Sequence, residues 1–383
     1  MGPLAGLRIL ELGGIGPGPM AAMLLADMGA TVIRVDRVVA GEAAFPVDAR
    51  FDVVLRNRRS LGLDIRKPQG LALLLKLVDA SDGLIEGFRP GVAERLGFGP
   101  EVCMGRNPKL VYGRMTGFGQ DGPLAHTAGH DLNYIALTGA LHAVGRAGER
   151  PVPPLNLVGD YGGGAMFLAF GMVCALFERS RSGRGQVVDS AMVDGASMLM
   201  APFFGWAAAG QWTQARGTNL LDGGAPFYDS YETADGKYVA FAAIEGKFFA
   251  TFAEAAGLDR KFVAGQNDRS LWPEMRSALR TLFKSKSRAE WCAQLEASDA
   301  CLSGVLSIEE VPHHPHNRAR GSFIELDGVT QPAPAPRFSR STPETPKPPQ
   351  SPGCETDAIL MELGLDSNDI EVLRANGVIG KES

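Results

Sequence analysis

The stretch Leu7-Arg8-Ile9-Leu10-Glu11-Leu12-Gly13-Gly14-Ile15-Gly16-Pro17-Gly18-Pro19-Met20 decides the fold. Its first six residues read as a strand, the glycines and prolines interrupt it, and residues 20–28 read as a helix. A second strand, 31–35, follows and ends at Asp36. Strand, loop, helix and strand in that order open a parallel α/β layer. Outward from there, 71–77 resembles a helix, and 83–86 and 110–115 resemble strands. The alternation continues to about residue 190, where Gly183-Arg184-Gly185-Gln186 turns into the strand Val187-Val188-Asp189.

Beyond residue 190 the pattern changes. Residues 195–215 look helical and apolar, and Asp222-Gly223-Gly224-Ala225-Pro226 is a loop. Segments 228–233 and 237–243, separated by Asp235-Gly236, read as a hairpin. Amphipathic helices are expected around 247–256, 273–283 and 288–295. The proline-rich run 331–353 reads as an extended connector, before a final helix over 355–363 and an acidic-capped turn. The expected class is α/β, with a large Rossmann-like parallel-sheet domain over 1–190, a helical linker over 191–224, a small α+β domain over 225–320, and a connector with a C-terminal part over 321–383.

The 383 residues, 45% hydrophobic and 21% charged, suit a globular protein of two or three domains. A formal charge of -5 argues against a nucleic-acid partner. Local basic clusters such as Arg56-Asn57-Arg58-Arg59 remain available for an anionic small molecule. The five cysteines are an odd number, scattered, with no CxxC pair. A reducing compartment, the cytoplasm, is therefore expected. No basic region leads into an apolar run at the N-terminus, so no signal peptide is read. The apolar runs 165–177 and 198–210 fall short of the ~20 residues that span a bilayer, and no membrane association is expected. Lys381-Glu382-Ser383 does not match a peroxisomal Ser-Lys-Leu address.

Two ionisable residues stand among glycines where loops enter apolar helices: His130 in Gly129-His130-Asp131-Leu132-Asn133-Tyr134, and Asp160 in Gly159-Asp160-Tyr161-Gly162-Gly163-Gly164. Glycines let a ligand approach the backbone closely, and helix starts offer unpaired N–H donors. An imidazole and a carboxylate facing one cleft can remove a proton from one side of a carbon and return it from the other. Each residue has a plainer reading: His130 as a hydrogen-bonded structural histidine, Asp160 as the N-cap of a helix over 161–177, and Asp131 as the N-cap of 132–137. The pair together favours chemistry. Gly14, Gly16 and Pro19 miss the third glycine of a dinucleotide fingerprint, and two prolines withhold donors, so NAD binding is not expected. The Pro-interrupted His313, His314 and His316 run focuses poorly on a metal, and no metal site is expected.

At these residues the chain resembles the α-methylacyl-CoA racemases, within the class III CoA-transferase superfamily. The matching motifs run nearly end to end: Glu11-Leu12 through Gly16-Pro17-Gly18-Pro19, Val35-Asp36-Arg37, Met115-Thr116-Gly117-Phe118-Gly119-Gln120, Ala128-Gly129-His130-Asp131, Pro154-Leu155-Asn156-Leu157, 221–228, Ala243-Ile244-Glu245 and Asp299-Ala300-Cys301. The resemblance implies a large domain built from both chain ends and an interlocked homodimer whose site lies between one chain's large domain and the other's small one. It implies His130 and Asp160 as the acid/base pair, with Glu245 reaching His130 from the partner chain. Arg37, Leu63, Asp64, Ile65, Arg66, Arg89, Arg95 and Gly129, His130, Asp131, Leu132, Asn133 and Tyr134 would hold coenzyme A. Position 66 is usually lysine in the family; arginine there still meets a phosphate with altered geometry. Residues 38–51 match less well.

The reaction so implied is a cofactor-independent isomerisation in lipid and fatty-acid metabolism, interconverting R and S 2-methylacyl-CoA through an enolate-like intermediate. Neutral His130 serves one face and ionised Asp160 the other, with N–H groups at the start of the Asp160 helix as oxyanion donors. The alternative is CoA transfer between carboxylic acids, with Asp160 as nucleophile. Further alternatives are a non-catalytic CoA-binding protein and a NAD-dependent oxidoreductase.

Overall fold

Six strands, β1 (Arg8–Leu12), β2 (Thr31–Asp36), β3 (Arg58–Gly62), β4 (Gly83–Glu86), β5 (Val111–Thr116) and β6 (Val187–Ala191), form one sheet in the order β3-β2-β1-β4-β5-β6. Every pairing in it is parallel, with Arg8 opposite Thr31 and Ile9 opposite Gly83 at its centre. The computed structural model describes residues 1–38 and 48–380. The chain divides into two units: Met1–Thr138 with Leu155–Met200 and Ala319–Ser383, and Gly139–Pro154 with Ala201–Arg318. The sheet lies in the first.

Successive side chains of a strand point to opposite faces, and β1 is buried on both. Leu10 and Leu12 join a core with Ile33, Leu61 and Leu84, onto which the helix Pro68–Asp79 packs Leu73, Leu74, Leu77 and Val78. Ile9 faces a separate core with Val32, Ile85, Val111 and Met172, where α1 (Pro17–Asp27) buries Ala21, Ala22 and Leu25. Each fully buried leucine contributes about 1.5–3 kcal/mol. The parallel α/β layer expected from the opening stretch is thus the fold found. α1 begins earlier than residue 20 because Gly16 turns the chain at φ 71° and Pro17, at the first helical position, is already set for a helix. Ile359, Leu360, Val378 and Ile379 enter the core beside Leu61 and Leu63, so both chain ends build this unit.

Strand β3 was not expected, and its neighbourhood corrects the reading of 56–59 as an open basic cluster. Arg56 and Arg58 are buried. Arg56 forms an ion pair with Asp27 at 2.6 Å and also donates to Gln331 and the Pro332 carbonyl. Arg58 pairs with Glu11 at 2.9 Å, and Arg59 with Glu355 and Glu362. Internal carboxylates, not a ligand, engage these cations. The closing turn is also more than a turn: Ser367–Ala375 is a helix, capped by the Asp366 side chain accepting from Asp369 N–H.

In the second unit β7 (Tyr228–Glu232), β8 (Tyr238–Ala242) and β9 (Leu302–Gly304) form an antiparallel sheet. The hairpin turns at Gly236, whose φ of 73° suits only glycine without strain. Helices Gly246–Ala256, Trp272–Phe283 and Arg288–Leu295 cover a core of Phe227, Phe241, Phe249, Phe252, Phe283 and Trp291. Gly139–Pro154 belongs here: Arg146 pairs with Asp229 at 2.5 Å, and Arg216 donates to the carbonyls of His142 and Glu149. The 191–224 stretch is split between the units after Met200.

Candidate active site

Asp160 does not cap a helix, as its position before an apolar run had suggested. It is the fourth residue of a π-helical segment, Leu157–Ala165, which continues into the α-helix Met166–Ser182. Such wide turns are rare and cluster at functional sites. The glycines here serve backbone packing. A Cβ at Gly163 would meet Ala196 N at 2.5 Å, one at Gly195 would meet Gly163 O at 1.9 Å, and one at Gly164 would meet Pro17 at 2.9 Å. The segment therefore lies directly on α1 and on the helix Met192–Leu199. Segment and helix together make 26 residues apolar and long enough to cross a bilayer by composition alone. Leu168, Met172, Ala175 and Leu176 on it are buried in the protein core.

This packing carries the Asp160 side chain to the loop after β1, where a Cβ on Gly16 would stand 3.3 Å from Oδ2. Asn156, at the N-cap position, donates its amide to Oδ2 at 3.1 Å. Leu155 before it holds φ 56°, a strained conformation for a leucine that sets the entry to the turn. Burial raises the Asp160 pKa above the ordinary carboxylate value. The Asn156 bond acts against the rise, Asp131 adds to it, and His130 opposes it. The charge of His130 thus reaches the Asp160 carboxyl, and both residues belong to the first unit.

His130 is exposed and precedes the helix Asp131–Ala136. Its backbone N–H donates to Asn133 Oδ1 at 3.0 Å, and the Tyr134 hydroxyl donates to the Gly129 carbonyl. The Tyr134 ring lies so close to the preceding chain that a Cβ on Gly117 would fall 2.1 Å from it and one on Gly129 2.8 Å. Phe118 meets the same ring edge-to-face at 4.9 Å. Tyr134 and these glycines fix where the His130 backbone stands. Asp131 is not the N-cap of its own helix. It is buried, and its Oδ2 accepts the N–H groups of Gly159 and Asp160, each at 2.7 Å.

The other expected residues fall on both units. Arg37 follows β2, Leu63, Asp64, Ile65 and Arg66 follow β3, and Arg89 and Arg95 follow β4, so all extend from carboxyl ends of the parallel strands, where open α/β sheets take ligands. Arg37, Arg66, Arg89 and Arg95 are exposed; Leu63 is buried in the core. Arg66 is paired with Asp64 at 2.9 Å, and Arg89 lies close enough to Tyr134 to act on its phenol. Leu132 and Asn133 are exposed. Glu245, exposed, stands at the start of the helix Gly246–Ala256 in the second unit. His314 lies 3.4 Å from Glu296, and no three His, Cys, Asp or Glu side chains gather as a metal site would require among the described residues. Lys381-Glu382-Ser383 lies outside the described residues.

Sequence reasoning gave no role to Asn156 or Gly16. Asn156 was legible in principle, since a polar residue four positions before a helical carboxylate shares its face. The closeness of Gly16 was not, because it depends on how the π segment seats against α1.

Residues 4–357 match the family model described as CoA-transferase family III. The α-methylacyl-CoA racemase of Mus musculus is 44% identical over 98% of this chain and 97% of its own length, and that of Homo sapiens is 43% identical with the same coverage. The crystal structure of a CAIB/BAIF family protein from Brucella suis superposes with a TM-score of 0.79 at 26% identity, covering 94% of this chain and 99% of that one.

Proposed function

The chain belongs to CoA-transferase family III, and from that premise we propose that it is an isomerase of the α-methylacyl-CoA racemase type, interconverting R and S 2-methylacyl-CoA. The observation that carries the chemistry is the Asp160–His130 pair. A carboxyl whose pKa burial has raised takes and returns a proton more readily near neutrality than an ordinary one. Ionised Asp160 removes the α-proton from one face, the C–H electron pair moves into the thioester as an enolate, and protonated His130 delivers a proton to the opposite face. Neutral His130 and protonated Asp160 run the reverse. Only a proton moves, so coenzyme A, part of the substrate, is the sole non-protein group the reaction calls for.

The oxyanion donors first expected at the start of the Asp160 helix need revision, because the N–H groups of Gly159 and Asp160 are both held by Asp131. At the start of the helix Asp131–Ala136, the N–H groups of Asp131 and Leu132 have no acceptor among the described residues. They adjoin His130 in the chain, and we assign them to the enolate oxygen. Arg37, Arg66, Arg89 and Arg95 serve the coenzyme A phosphates, with Leu63, Asp64, Ile65, Gly129 and Tyr134 shaping their surroundings. Five free cysteines suit a reducing, cytoplasmic setting.

Incubated in deuterated water with either enantiomer of a 2-methylacyl-CoA and no acyl acceptor, the protein is expected to wash deuterium into the α-position and erode optical purity. Transfer of coenzyme A to an added carboxylate without any α-exchange would replace this reading with the transferase one.

Glu245 acting on His130 from a partner chain requires a homodimer. Met166, Phe170, Val173 and Phe177 support it: they form an exposed apolar stripe along one helix, 53%, 69%, 39% and 64% accessible. Sedimentation at micromolar concentration is expected to give twice the chain mass. Mixing two inactive variants, His130→Ala and Glu245→Ala, is expected to restore part of the activity through hybrid dimers. A fully active monomer would refute the shared site.

A further inference from the structure

The carboxylate of Asp131 is used in an unusual way. It is 6% exposed, Oδ2 accepts two successive backbone N–H groups, from Gly159 and Asp160, and Oδ1 is enclosed with no partner among the described residues. Burying a carboxylate with one oxygen unpaired costs stability, and an asparagine would supply the accepting oxygen without the charge. The two N–H groups it holds belong to the third and fourth residues of the π segment, so the clamp acts where the wide turn leaves the α-helical path.

We propose that Asp131 is a positioning residue for Asp160: its Oδ2 fixes the turn that carries the Asp160 carboxylate to Gly16, and its buried negative charge stands beside the proton Asp160 must carry. The inference rests on the racemase reading, in which Asp160 alternates between ionised and protonated forms. The charged groups on the surrounding elements single out Asp131. Asn156, at the segment's N-cap, is neutral. On α1 the only charge, Asp27, is engaged with Arg56. Asp194, on the helix Met192–Leu199, acts with Asp121 on Asp189 of β6. On the helix Met166–Ser182, Glu178, Arg179 and Arg181 lie toward the far end, with Arg179 paired to Asp82. The charges that bear on Asp160 are Asp131, favouring its protonated form, and His130, disfavouring it.

Asp131→Asn keeps an accepting oxygen and removes the charge. The Asp160 carboxyl, followed by 13C NMR and assigned with Asp160→Asn, is expected to titrate at lower pH in D131N than in the wild type. The pH–rate profile of α-exchange is expected to move in the same direction, a change that a purely structural contact would not cause. Asp131→Ala, losing the clamp as well, is expected to lower exchange by about 10²-fold through misplacement of the carboxylate. Asp131→Glu retains the charge on a longer arm and is expected to hold the titration near wild type while exchange falls. An unmoved Asp160 titration in D131N overturns the proposal. Should D131N not fold, full wild-type exchange by D131E overturns it instead. If the wild type exchanges no α-proton at all, the racemase reading fails, while the Asp160 titration in D131N still decides the role of Asp131.

Discussion

Removing the His130 imidazole is expected to abolish inversion yet leave deuterium exchange with one enantiomer. A complete turnover uses both groups in sequence, because the proton leaves one face of the α-carbon and returns on the other. In His130→Ala, Asp160 still takes and returns a proton on its own face, so one enantiomer exchanges without inverting. In Asp160→Ala the opposite enantiomer becomes the residual exchanger. Each deletion is expected to cost about 10²–10⁴ in racemisation rate, the usual worth of a positioned acid or base. Burial of Asp160 raises its proton affinity above that of an ordinary carboxylate, so it is a better base for the α-proton than an exposed aspartate would be. The measurement is α-proton exchange and optical rotation followed separately for each enantiomer. Racemisation by His130→Ala at wild-type speed would make the imidazole structural and leave Asp160 as the acid/base group that does not need it.

The second large effect is on stability. Arg56→Ala is expected to destabilise the protein by about 3–5 kcal/mol, because it leaves Asp27 as an uncompensated buried charge. Asp27 is 2% exposed and would retain only Asn57 of its side-chain partners, at 2.9 Å. The same change deprives Gln331 and the Pro332 carbonyl of their donor, loosening the strand pair β10 (Phe323–Leu326) and β11 (Val329–Pro332). Replacing both partners, Asp27→Leu with Arg56→Met, is expected to recover most of the loss, since no charge remains to bury. Urea unfolding followed by far-ultraviolet circular dichroism, at one fixed protein concentration, reads both. A single variant within about 1 kcal/mol of wild type would show that water reaches Asp27.

Where a segment's fate depended on its own pattern, the chain was legible. β1, α1 and β2 announce themselves by an apolar strand, a Gly-Pro interruption and a second apolar strand. The Asp235-Gly236 turn likewise announces β7 and β8. β3 was hidden because Arg58-Arg59-Ser60 looks like surface, and becomes strand only once Glu11, 47 residues earlier in the chain, neutralises Arg58. The opposite error arose at 56–59, where four polar residues resembled a ligand site until Asp27 and the C-terminal carboxylates were in place.

The candidate site divides in the same way. Sequence alone determined that His130 stands where a loop enters a helix and that Asp160 adjoins an apolar helical run, because glycine, ionisable residue and apolar run are local features. It also determined the parallel sheet, because the period of apolar residues along a strand is local. Only the tertiary structure decided that Asp160 sits inside a π turn, that Gly16 makes room for its carboxylate, and that Asp131 clamps the turn from 28 and 29 residues away. It also decided that Gly139–Pro154 joins the second unit. The reason is physical: a buried carboxylate or arginine is tolerable only with its partner, and the partner's position is a property of the folded backbone. No local pattern encodes it.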